Sequence, residues 1–382
     1  MSRGAGRASV LEFGHPQRIA PLLGASPAAA GPARNQPWIV ARFGATVVRQ
    51  SYAVRRTMKI RVVRRLRGWS FVLANLAAWS CLRAQPSPQF ARIQSLTNRE
   101  IRLELSAATA SRYRIDAATL PGAWAPLVTL AGASSLLHTD SAAPFLPSRF
   151  YRAEELTVTD VMTGDHLITN DEDLVIHPVN HASLVLGWNG RTIYVDPGDS
   201  ASRFTGLPRA DLILLTHEHG DHYLVATIDA VRGSNVVILA TSAVYAAMPS
   251  HLKALTAVLT NGAAGNFLTM TIEAVPAYNL TSSYHPPGRG NGYVLTVGGK
   301  RIYISGDTED IPEMRALANI DVAFVCMNLP YTMTISQAVS AVREFHPKVV
   351  YPYHYSLASN ATNFKRQLGT ELGIEVRLRK WY

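Results

Sequence analysis

The chain has 382 residues, a formal net charge of +10, 47% hydrophobic residues and 17% charged residues. That composition excludes a disordered or fibrous protein, and two cysteines, Cys81 and Cys326, exclude a disulfide scaffold and a cysteine-based zinc site. The sequence pI near 9.7 suggests, as an average, a nucleic-acid or anionic-membrane partner, but the charge sits at one end. Residues 1–84 hold 14 basic residues and one acid, Glu12, and the remaining residues net −3. The body therefore offers no basis for binding nucleic acid.

Within the basic leader the segment from Met58 reads MKIRVVRRLRGWSFVLANLAAWSCLRAQ. A cationic stretch (Lys59 to Arg67), an apolar stretch (Trp69 to Trp79) and a small residue, Ala84, follow one another in the order of a secretory signal peptide. This predicts a signal at 58–84, export to a bacterial periplasm or the extracellular space, and Met58 as the translation start, with residues 1–57 upstream of the translated protein. An Arg-rich, acid-poor transit peptide starting at Met1 is the alternative. The apolar run is too short for a span of about 20 residues, so no transmembrane segment is expected in the mature chain. Trp79 and Ser80 are a poor context for lipid attachment at Cys81.

Residues 91–155 carry short alternating segments at 101–105, 113–117, 125–130, 134–139 and 149–153, separated by turn residues such as Pro121-Gly122. They predict a small antiparallel, sandwich-like accessory module, with Tyr113, Trp124 and Phe150 as core anchors. No catalytic cluster lies within it.

From 157 to 382 the pattern changes. Apolar runs at 183–187, 192–196, 211–216, 236–240, 293–297, 301–305, 321–326 and 348–352 predict strands. Helices are expected at 222–231, 241–248, 311–319, 334–345 and 361–371; in 334–345, Ile335, Val339, Val342 and Phe345 form one stripe. Alternation of this kind is an α/β layered domain around a buried sheet.

The chemistry concentrates in DLILLTHEHGDHYL, residues 211–224. An apolar strand runs into His217, Glu218, His219, Gly220, Asp221 and His222, a density of imidazole and carboxylate suited to Zn²⁺ or a similar ion. His217 and His219, two apart in an extended segment, point the same way and can share one ion. Asp221 and His222, at the start of the next helix, can face a second, with Gly220 providing the bend.

The run H-x-H-x-D-H resembles the signature of the metallo-β-lactamase fold superfamily. Asp196-Pro197 after TIYV, Ser305-Gly306-Asp307-Thr308 after RIYI and Tyr351-Pro352-Tyr353-His354-Tyr355 after KVV are similar to three further motifs of that family, in the same order. The resemblance implies a four-layer αββα fold over 157–382, with Asp196 orienting the metal loop, Asp307 bridging two ions and His354 completing the second site. His181-Ala182-Ser183, the stretch AVPAYN and GRGNGYVL look like the branch that holds ascorbate-6-phosphate lactonase and the N-acyl-phosphatidylethanolamine-hydrolysing phospholipase D. In that branch a histidine closes the V-P-A-x-H stretch as third ligand of the first ion; here Asn279 stands in its place. Three readings follow: a loosely held first ion, His285 as the missing ligand, or a single ion at Asp221, His222, Asp307 and His354.

The expected activity is that of a metal-dependent hydrolase, with one or two Zn²⁺ per chain (Mn²⁺ as the alternative) and a metal-activated water acting on a lactone, amide or phosphodiester. The substrate expected is a small or lipid-like molecule. Asp221 or Asp307 would orient the water and accept its proton; His181, Tyr331 and Tyr355 are candidates for supporting or substrate contacts, with packing an equal alternative for both tyrosines. Two other readings differ in class. One is a catalytically silent metal-binding member serving as a binding module, which Asn279 keeps open. The other is a di-iron oxidoreductase, which calls for a carboxylate where the loop carries His219.

Overall fold

The computed structural model describes residues 39–42 and 88–381, except Thr109, Ala133, Thr159, Asp160 and Glu371. The signal-like segment at 58–84 and most of the basic leader lie outside the described residues. Within the unit Pro37–Tyr382 the strands form three sheets of eleven, seven and three strands.

The layering follows from alternation along the strands. In Ser183–Trp188, Leu184 and Leu186 enter one core and Val185 another; in Ala210–Leu214, Leu212 and Leu214 divide from Ile213 in the same way. The first core is shared with the seven-stranded sheet through Ile272, Leu295 and Ile302, and the second is closed by helix Val225–Val231 through Ile228 and Val231. The far face of the seven-stranded sheet is covered by helices Ile335–Phe345 and Ala358–Leu368, which supply Val339, Val342, Phe345 and Phe364. The order is helix, sheet, sheet, helix, the αββα arrangement. The central strands of the two larger sheets are buried on both faces, which is why they read as continuous apolar runs. Among the described residues no helix is long and apolar enough to cross a membrane.

Helix Ile335–Phe345 starts where Thr334 and Gln337 form a reciprocal capping box. Helix Val225–Val231 begins three residues later than expected, because the amides of His222 and Tyr223 both donate to the His219 carbonyl and make a separate turn. The helix expected at 311–319 is only Pro312–Arg315.

Of the module strands, Ile101–Ser106 and Ser135–Asp140 join Gln89–Ser95 in the three-stranded sheet, whereas Arg112–Ala118, Ala125–Ala131 and Ser148–Leu156 belong to the eleven-stranded sheet. Ala125–Ala131 pairs onward with Gly164–Leu167, so one sheet joins these strands to those that follow residue 157. Tyr113 and Phe150 are buried, but Trp124 is only half-buried, with Arg152 stacked on its ring at 4.9 Å. Its place after the turn at Pro121-Gly122 sets it against this cation instead of deep in the core. The C-terminal segment is tied to these strands by buried polar bonds: Ser141 donates to Glu375 at 2.7 Å, and Tyr351 and Arg379 each donate to Asp165 at 2.7 Å.

Candidate metal centre

The strands Arg191–Val195 and Ala210–Leu214 run parallel, which delivers Asp196 beside Thr216, just before the histidine loop. Asp196 is fully buried; its Oδ1 accepts from the Thr216 amide at 2.8 Å and its Oδ2 from the Thr216 hydroxyl at 2.7 Å. His222 Nδ1 lies 2.8 Å from the same Oδ2. One carboxylate therefore ties both ends of the loop 216–222 and turns His222 Nε2 inward, as outer carboxylates do for metal-bound imidazoles. Thr216, adjacent to His217 in the sequence, was not singled out there.

Gly220 does not take a positive φ and nothing stands within 4 Å of where its Cβ would be, so the bend does not depend on it. The close approach is made by Gly198, where a Cβ would overlap the Asp221 carbonyl and the His222 amide. Gly306, with φ of 60°, brings Asp307 in from the other sheet; a Cβ there would stand 2.8 Å from the Asn291 carbonyl oxygen. Asp196, His181 and His354 also have left-handed backbones, with φ of 45°, 49° and 45°, conformations that cost about 1 kcal/mol or more each and concentrate at functional sites.

Three groups of potential ligand atoms result: His217, His219 and His285; His217, His222 and Asp307; and His181, Asp221 and His354, each within 4.8 Å. His217 Nε2 is 3.0 Å and His285 Nε2 is 3.2 Å from His219 Nδ1. His222 Nε2 is 3.1 Å from His354 Nε2, which is 3.4 Å from Asp221 Oδ2. Imidazoles sharing a tetrahedral zinc ion at roughly 2.0–2.1 Å stand roughly 3.3 Å apart, so the spacing and the donor set suit such an ion. Asp307 lies between the groups: Oδ1 faces His354 at 3.3 Å and His222 at 3.4 Å, and Oδ2 faces His285 at 3.4 Å. Its Oδ1 is buried yet accepts no hydrogen bond, an orphaned acceptor that a cation would satisfy.

Protonation agrees with that fit at His217 and His285, whereas at His222 burial is outweighed by the Asp307 and Asp196 carboxylates, which hold the ring well above the usual histidine range. Burial holds His217 well below the usual histidine range and lowers His285 as well, favouring the neutral imidazole that ligates. Burial alone would raise Asp307, but the charges of His354 and His222 outweigh it and keep its carboxyl far below the ordinary range. Burial is likewise outweighed at Asp221 by hydrogen bonds from His181 and His354.

Asn279 and His285 differ in their engagement. The His285 ring joins His217 and His219 directly, while its Nδ1 lies 3.1 Å from the Tyr331 carbonyl. The Asn279 amide donates to Ser282 Oγ at 2.5 Å and to the same Tyr331 carbonyl at 2.7 Å, leaving its buried Oδ1 unpartnered. His181 lies at the opposite edge, Nε2 3.2 Å from Asp221 Oδ2 and its ring 3.9 Å from that of His354. The Tyr331 side chain is exposed at the rim, whereas Tyr355 is buried in the core.

Two openings reach the centre. A cavity of about 220 Å³ is lined by His217, His219, His285, Glu218, Tyr284 and Arg289; one of about 430 Å³ lies over His181, Asp221, Asp199 and Gly198. Arg289, half-exposed, donates to Glu218 at 2.8 Å, a pairing the sequence reading did not find because 71 residues separate the two.

The model for a beta-lactamase superfamily domain matches residues 176–354. A UPF0173 metal-dependent hydrolase of Thermus thermophilus is 34% identical over 191 residues, 46% of this chain and 80% of that protein. One of Pyrococcus abyssi is 28% identical over 52% of this chain and 93% of its own length. A solved structure from Parabacteroides distasonis, described as a metal-dependent hydrolase, is 44% identical with a TM-score of 0.51, covering 57% of this chain and 99% of that one.

Proposed function

The chain belongs to the metal-dependent hydrolases of the beta-lactamase superfamily, and from that premise we propose that it opens a lactone, amide or phosphodiester with water at a two-ion centre. The observation that carries this is the position of Asp307, whose two oxygens face different ligand groups. In this reading His217, His219 and His285 would hold one ion and Asp221, His222 and His354 the other, with Asp307 placed to serve either group. Zinc is the ion best suited to so many imidazoles, with manganese as the alternative. The bound ions would polarise the scissile carbonyl or phosphoryl oxygen and lower the pKa of a water toward about 7.

The chain's own groups then divide the work. Asp221, whose side chain is 48% exposed, has the access and the charge to accept a hydrogen bond from the attacking water and orient it. Asp307, at 4% exposure, is enclosed and serves to hold. His181 orients the Asp221 carboxylate through Oδ2. Asn279 fixes the Tyr331 carbonyl that in turn fixes His285, so the ring approaches from a neighbouring loop.

Elemental analysis of the full chain, purified without chelator, should give one to two zinc or manganese ions, lost in the His217→Ala/Asp221→Ala double variant. Hydrolysis within a panel of lactones, amides and phosphodiesters should vanish with EDTA and return on adding metal. A chain that binds no metal after supplementation sinks the proposal. A metal-loaded chain silent across the panel favours a binding module instead.

A further inference from the structure

Four of the large apolar side chains exposed on the described surface stand in two loops beside His285: Leu280 (54% exposed), Tyr284 (47%), Leu329 (56%) and Tyr331 (43%). The loops are locked to the site and to each other. The Tyr331 carbonyl is the acceptor for Asn279 and the neighbour of His285 Nδ1, the Leu280 amide donates to Glu309 at 2.9 Å, and the Tyr284 and Tyr331 rings meet edge to face at 4.8 Å. Tyr284 also lines the cavity of about 220 Å³ that opens onto His217, His219 and His285, and Arg289 and Glu218 line it too. Grouped exposed apolar residues on a rigid frame mark a binding surface. The cavity is smaller than the roughly 300–1,000 Å³ that encloses a whole drug-sized ligand, so it admits a compact head and leaves the rest of a larger molecule outside, against these loops.

We infer that the substrate is amphiphilic: a compact polar head bearing the scissile bond enters beside His219 and Arg289, and an apolar tail lies along Leu280, Tyr284, Leu329 and Tyr331. This rests on the hydrolase reading above and names its substrate class. Arg289 spends its Nε and one terminal nitrogen on a single Glu218 oxygen, which leaves the other face of its guanidinium for an anionic head. His285 Nδ1 is met by the Tyr331 carbonyl, a backbone atom that side-chain changes at Tyr284 and Leu329 leave in place.

The test uses straight-chain carboxylates from butanoate to decanoate, titrated calorimetrically into the zinc-supplemented full chain; the head stays constant while the tail grows. Complete burial of a methylene tightens binding about fourfold, and a shelf that covers one side should give about twofold per methylene, or about 60-fold across the series. The Tyr284→Ser/Leu329→Ser variant should flatten that dependence with metal content unchanged, and Leu137→Ser, exposed on the three-stranded sheet, should leave it intact. Undetectable decanoate binding, a flat series in the metal-loaded protein, or a slope unaltered in the double variant overturns the inference. So does a dimer that the double variant dissociates, or phosphatidylcholine-vesicle binding that it abolishes without a chain-length dependence. Failure to load metal would instead strike the hydrolase reading, and elemental analysis of the same sample separates the two.

Discussion

Gly198 lies against the backbone of Asp221 so closely that any Cβ at 198 would overlap the Asp221 carbonyl and the amide nitrogen of His222. A glycine in the turn after Asp196 thus decides how deep the loop bearing two candidate ligands can sit. Gly198→Ala should push that loop outward. Overpacking of this kind costs about 1–3 kcal/mol, and the expected result is a lower melting temperature together with metal content reduced at the Asp221 side. A variant with wild-type stability and metal content would show that the loop yields at no cost.

Asp196 touches no substrate-accessible surface, yet Thr216 and His222 both depend on it. Asp196→Asn keeps the volume and removes the charge that holds the His222 tautomer. Metal affinity or turnover should fall about 10- to 100-fold, measured by competition with a chelating dye. An unchanged affinity would assign Asp196 to packing alone.

His285→Ala and Asn279→Ala should separate by metal content. Removing the His285 imidazole leaves His217 and His219 with too few partners, and one ion should be lost. Removing the Asn279 amide takes away only an anchor of the Tyr331 carbonyl, so both ions should remain, with the first about 10- to 100-fold weaker. The reverse pattern would make Asn279 the ligand.

His138, in the strand Ser135–Asp140 of the three-stranded sheet and outside the three ligand groups, gives a pH dependence. Burial, with Arg379 and Arg377 adding to it against Asp165 and Asp140, brings its pKa down from 6.5 to about 4. The folded value lies below the unfolded one, so the contribution to stability is complete above pH 6.5 and is lost as pH falls toward 4, where the unfolded chain takes up a proton that the fold refuses. At 1.36 kcal/mol per pH unit the loss by pH 4.5 is about 2–3 kcal/mol. Urea unfolding at pH 7.5 and 4.5 should show a smaller drop for His138→Phe by that amount; an equal drop would rule His138 out as a source of acid sensitivity.

Local pattern carried far in this chain. The apolar runs at 183–187, 211–216 and 321–326 stand within a residue or two of strands Ser183–Trp188, Ala210–Leu214 and Val322–Met327, because a doubly buried sheet leaves few positions for polar side chains. Helix Ile335–Phe345 was legible from its stripe. Strands Leu174–Asn180, Ala264–Phe267 and Met270–Ala277 were not read; the first and third carry a proline, and the second holds Gly265 and Asn266. Their strand character comes from partners, such as the long antiparallel pairing of Met270–Ala277 with Gly290–Val297.

By itself the sequence determined the layered α/β class, the family resemblance and the residues 217–222, since six neighbours in one loop declare their chemistry through spacing alone. Only the tertiary structure decided that His285 stands against His219, that Asp307 faces both groups, that Gly198 seats the loop, and that exposed apolar side chains gather beside the cavity. Each of these joins positions tens of residues apart. Such a relation depends on which strands pair and which loops meet at the ends of two packed sheets, and no local periodicity encodes it.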